Sequence, residues 1–140
     1  MGSSWKLTEA QLREWLQGLL EENDVVAPTE EDGVVLFRRV GSADDAIVEP
    51  SGKTRWSPKE FLFPRTEALY RYNFTHGAVQ LEDPAEPDKH QVLCAVRSCD
   101  ASGLVRLDEI FLSGTKDLLY AARRENTTVV TAACAAADPE

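Results

Sequence analysis

Residues 92–134 read VLCAVRSCDASGLVRLDEIFLSGTKDLLYAARRENTTVVTAAC, and this stretch decides the fold. Gln91 to Val96 is a short apolar run of the kind buried inside a parallel sheet. Arg97-Ser98-Cys99-Asp100 is then a strand-to-helix turn, with Ser98 or Asp100 in position to cap. Leu104, Leu107 and Phe111 line one face of the helix that follows, and Ser113-Gly114-Thr115 stops it. Asp117 opens a second helix carrying Leu118, Tyr120 and Ala122, with Arg123-Arg124 in its last turn, where cations suit the helix dipole. Thr127 to Ala133, β-branched and apolar, predicts a second buried strand. Parallel pairing of the two strands requires a right-handed crossover, which the two helices supply.

Working outward, Thr8 and Gln11 form a capping-box pattern. Leu12, Trp15, Leu16, Leu19 and Leu20 give the following helix one apolar face, and Asn23-Asp24 ends it. Val25-Val26-Ala27-Pro28 predicts an edge strand, because proline cannot donate to a ladder. Glu30 to Gly33 is a turn, Val34 to Val40 a strand, and Ala46 to Glu49 another. Gly52-Lys53-Thr54 resembles the tail of a phosphate loop, but Ile47 stands where that motif needs its first glycine, so it reads as a turn. Ser57 to Glu60 opens a helix with proline first, which Pro64 ends. Thr66 to Tyr72 is expected to add helical turns and Ala78 to Leu81 a strand. Residues 82–89 form a polar, proline-broken loop. The whole predicts a single α/β domain with a mixed sheet, in which residues 1–24 supply an N-terminal helix packed on residues 25–140.

The 140 residues carry a net charge of −9. That argues against nucleic acid, whose affinity begins with cations neutralising phosphates, and against anionic membrane surfaces. No apolar run approaches the roughly 20 residues that span a bilayer. The opening MGSSWKLTEAQ has no apolar signal core, so the expected compartment is the cytoplasm. No GxSxG, HExxH, GxGxxG or paired-carboxylate motif is present. His76 and His90 stand alone, without a second ligand at metal spacing, and read as surface or satisfied histidines.

The three cysteines do not fit a disulfide framework and are read as reduced thiols. Cys99 is the sharpest candidate for chemistry. A thiol at a helix N-terminus meets the positive dipole end and unpaired N–H groups, which favour thiolate, and Arg97 adds positive charge while Asp100 opposes it. Cys94, mid-strand, reads as a small core residue. Cys134 lies at the end of the second strand, so adjoining parallel strands could bring it toward Cys99. Two cysteines fall short of a four-ligand metal site.

Several of these segments together resemble the iron–sulfur subunits of sulfhydrogenases and anaerobic sulfite reductases, a family with two 4Fe–4S clusters. They are Val92–Asp100 ending Val-Arg-Ser-Cys-Asp, Leu107–Leu112, Asp117, Tyr120, Arg123-Arg124, Asn126-Thr127 and Cys134. Upstream, Val26-Ala27-Pro28 and the series Pro58-Lys59-Glu60, Phe63-Pro64 and Glu67 agree. The resemblance implies an N-terminal α/β domain of an electron-transfer subunit that docks flavin-containing and catalytic oxidoreductase subunits. It also implies that Cys99 and Cys134, with Arg97 and Asp100 beside Cys99, contribute to a cluster completed elsewhere. The cluster belongs to the full-length protein, and none is expected on this chain alone. The sequence departs from the family at Ser98, where proline is common, and at Cys94, which has no counterpart. The ferredoxin cysteines that would follow Cys134 lie outside these 140 residues, which reads as an excised domain or a relative without that half. The competing reading is a non-enzymatic interaction or small-ligand-binding domain with inert, buried cysteines.

Overall fold

The computed structural model describes residues 4–48, 54–75, 77–83 and 89–134. Helix α1 spans Glu9–Glu22 and closes its N-terminus with the expected capping box, Thr8 and Gln11 each bonding the other's backbone N–H. Strand β1 (Asp24–Glu31) and strand β2 (Val34–Arg39) form a hairpin across Asp32 and Gly33. Both turn residues have positive φ, 50° and 75°, the Asp-Gly chemistry that matches strand twist. Strand β3 (Arg71–Thr75) and strand β4 (Ala78–Glu82) make a second hairpin. Strand β5 (Gln91–Arg97), helix α2 (Ser98–Phe111), helix α3 (Leu118–Glu125) and strand β6 (Thr127–Ala132) complete the described chain.

The main sheet has the order β2-β1-β5-β6. β2 runs antiparallel to β1, while β1, β5 and β6 are parallel, so the mixed α/β sheet and the strand–helix–helix–strand unit are as expected. Two apolar clusters cover its two faces. Leu16 of α1 packs with Val25, Ala27, Val92 and Cys94 on one. Leu104 and Tyr120, from α2 and α3, pack with Val26, Phe37, Leu62, Leu93 and Val96 on the other. Covered on both sides, β5 has six consecutive buried residues, which explains why its sequence is an unbroken apolar run rather than an alternation.

A bulge resets that strand. β5 spends three steps from Leu93 to Val96 while β6 spends two, from Val129 to Thr131, and Ala95 takes φ 55°. The extra residue swaps the faces. Val96 would otherwise share a side with Cys94, and instead it joins Leu93 on the α2/α3 side.

Several expectations are corrected. β1 is an interior strand, not an edge. Its ladder with β5 ends at Val26 and Leu93, so no ladder bond is asked of Pro28, whose carbonyl accepts from the Ile47 N–H at 2.8 Å. β6, expected to be a buried strand, is the sheet edge and only partly covered. Ala46 to Val48 form no strand and follow a short 3-10 turn over Ala43–Asp45; Glu49 lies outside the described residues. The proline-first helix is a single 3-10 turn, Pro58–Phe61. Thr66 to Tyr72 is not helical: Glu67 is held by Arg123, and Arg71 already opens β3. Gly52-Lys53, His76 and most of the polar loop, residues 84–88, lie outside the described residues.

Candidate functional site

The carboxyl ends of β5 and β6 carry the predicted thiols. β5 passes into α2 without an intervening loop, and Arg97, not Ser98 or Asp100, is the N-cap residue, with no side-chain hydrogen bond closing the cap. The Ser98 carbonyl accepts from the Ser102 hydroxyl at 2.9 Å. Cys99 therefore sits in the first helical turn and is exposed, with Asp100 half-buried after it. Arg97 pairs with Ala132 across the parallel ladder. Cys99 and Cys134 thus lie equally far, two residues, beyond paired positions on adjoining strands, and Cys134 is also exposed.

Cys94 is separate from both. It is 4% exposed, on the α1 face, and burial pushes its thiol up to about 11. Among the described residues no group of three or more His, Cys, Asp or Glu side chains could hold a metal ion. Cys99 and Cys134 alone do not fit a complete iron–sulfur site, which takes four ligands.

A connected polar network, which sequence reasoning missed, lies on the α2/α3 face. The Tyr120 hydroxyl donates to Asp108 at 2.7 Å, and Arg124 Nε donates to both Asp108 oxygens at 3.1 Å. Arg124 Nη1 also reaches the Thr127 carbonyl at 3.2 Å. Arg123 Nε donates to the Leu62 carbonyl and Nη1 to Glu67, each at 2.7 Å. Phe63 stacks on Phe111, which in turn meets Tyr120. Tyr120, wholly buried and donating to a carboxylate, has its pKa pushed well above the ordinary tyrosine value, burial being the larger cause. Tyr120, Arg123, Arg124, Asp108, Phe63 and Glu67 all fall within the segments that carry the resemblance. Their work here is to lock α2, α3 and residues 62–67 together. The two arginines do more than face a helix dipole.

His90 is a satisfied histidine, its ring nitrogens 3.3 Å from Asn126 Oδ1 and 2.8 Å from Thr128 Oγ1. The β3–β4 hairpin is the opposite of the core: every one of its described strand residues is exposed, including Tyr72 (66%), Phe74 (70%) and Leu81 (69%).

Compared with known proteins, the chain is 28% identical over 131 residues to sulfhydrogenase 2 subunit beta of Pyrococcus furiosus. The match takes in 92% of this chain and 37% of that relative's length. It supports a relation to sulfhydrogenase beta subunits. No family model matches, and no solved structure matches. No described helix is long and apolar enough to cross a membrane.

Proposed function

We propose that this chain is the N-terminal α/β domain of an iron–sulfur electron-transfer subunit. In this reading it docks flavin-containing and catalytic oxidoreductase subunits and lends Cys99, with Cys134, to a 4Fe–4S cluster completed by ligands from outside these residues. The wider family would be the two-cluster subunits shared by sulfhydrogenases and anaerobic sulfite reductases. The observation that carries the reading is the register of β5 and β6, whose last paired residues, Arg97 and Ala132, each precede an exposed thiol by two positions, in a chain related to a sulfhydrogenase subunit. Arg97 and Asp100 flank the first thiol and belong to the same proposed site. The exposed apolar hairpin supports the docking half, since apolar patches of this kind mark interaction surfaces. In this reading residues 1–24 are the N-terminal segment and 25–140 the α/β domain, with helix α1 of the former packing on the sheet of the latter.

Anaerobic reconstitution of the full-length protein with iron and sulfide tests the ligand role. Cys99→Ala and Cys134→Ala are each expected to lower bound iron and the charge-transfer absorption, whereas Cys94→Ala leaves both unchanged. Equal cluster content in wild type and Cys99→Ala would sink the ligand assignment. The rival reading, a binding module with inert cysteines, matches the burial of Cys94 alone, because Cys99 and Cys134 are exposed.

A further inference from the structure

The opposite ends of the same strands enclose a small cavity of about 60 Å³ between the starts of β1, β5 and β6. Asp24, paired to Arg39, lines it together with Lys89, Gln91, Arg123, Asn126 and Thr127. Most lining donors are already committed. Gln91 Nε2 donates to Thr127 Oγ1 at 3.1 Å, Thr127 Oγ1 to the Arg123 carbonyl at 2.7 Å, and Asn126 Nδ2 to the Lys89 carbonyl at 2.9 Å. The uncommitted donors are cationic. Arg123 Nη2 is completely buried and has no hydrogen-bond partner among the described residues. Lys89 has no carboxylate partner among them.

We infer that this cavity is an oxyanion site that takes a phosphoryl group. Three considerations lead there. A buried guanidinium N–H left unpaired costs more than a neutral donor would, and a group with acceptors only relieves it best. Among the described residues three cations, Arg39, Lys89 and Arg123, face two carboxylates, Asp24 and Glu67, leaving one positive charge for an anion to balance. Water would satisfy the N–H but not that charge. The size also agrees: at roughly 10–15 Å³ per enclosed water, the volume of about 60 Å³ holds about four to six oxygens, room for the four of a tetrahedral oxyanion. Through Arg39 and Phe61 the cavity adjoins a wider groove of about 640 Å³ bounded also by Pro64 and Arg65. The phosphoryl group can therefore arrive free, or as the head of a phosphomonoester whose body lies against Phe61 and Pro64.

Titration with inorganic phosphate and with a nucleoside monophosphate, at matched ionic strength against chloride, tests the site. Binding is followed by calorimetry and by melting temperature. Phosphate is expected to bind and raise the melting temperature. Lys89→Gln, at an exposed position, weakens binding several-fold without lowering the ligand-free melting temperature, and Arg123→Lys abolishes it. Tighter binding of the monophosphate identifies the phosphomonoester as the source, and equal affinity identifies the free oxyanion. Absence of any effect beyond chloride at tens of millimolar, or binding indifferent to Lys89→Gln, overturns the assignment.

Discussion

At Cys94 and Tyr120 single side chains tie protonation to stability. The Cys94 thiol titrates near 11 in the folded protein against 9.0 unfolded, so the native state holds its proton more tightly. Its contribution is complete below pH 9 and is lost as pH rises through 11, at a slope of at most about 1.4 kcal/mol per pH unit. Denaturant unfolding across that window is expected to show the decline, with its steepness reduced in Cys94→Ala. Tyr120 shifts in the same direction and extends the loss above its unfolded value of 10.0. Asp108 is the acceptor for both Tyr120 and Arg124, so Asp108→Ala strands a buried hydroxyl and a half-buried guanidinium. Equilibrium unfolding should register a cost of about 3 kcal/mol. A change below 1 kcal/mol, roughly the worth of one ordinary hydrogen bond, would mean that the network is dispensable.

Among the elements, β5 carries the most demanding geometry. Ala95 holds a left-handed φ at the bulge that sends Val96 to the opposite face from Cys94, and it is 6% exposed. A β-branched residue tolerates that conformation poorly, so Ala95→Val is expected to cost about 2 kcal/mol by chemical denaturation, while Ala95→Gly stays near neutral. The bulge also marks where sequence reading reached its limit. The unbroken apolar run Gln91–Val96, the Thr8–Gln11 box and the Asp32-Gly33 turn were legible because each is a local pattern with one physical solution. Pro28 pointed to an edge because proline lacks a donor. Only the tertiary register shows that the neighbouring ladder has already ended there. Residues 66–72 read as helical turns, yet Glu67 is fixed by Arg123, 56 positions away, a partnership that no local window contains. The placement of Cys99 and Cys134 just past adjoining strand ends was legible from strand-end logic. Asp108 and the phosphoryl cavity were not, since convergence of side chains from distant elements leaves no spacing to read.

Across the whole molecule, chemistry divides by location: thiols at the carboxyl ends of the parallel strands, cations at their amino ends, and a bare hairpin beside the core. Two-stranded hairpins contribute little stability of their own in water. Replacing Tyr72 and Phe74 together with serine is accordingly expected to leave the unfolding free energy within about 0.5 kcal/mol, as for surface substitutions generally. The same variant should weaken association with partner subunits, measured by co-purification; unchanged association would remove the hairpin from the docking surface. The three cysteines divide in a further, practical way. Two stand in solvent and one is sealed beneath α1, so a thiol reagent added to the native protein has two fast targets and a third that it reaches only when the sheet opens. The slow labelling of Cys94 is thus a native clock for core opening, one that needs no engineered probe.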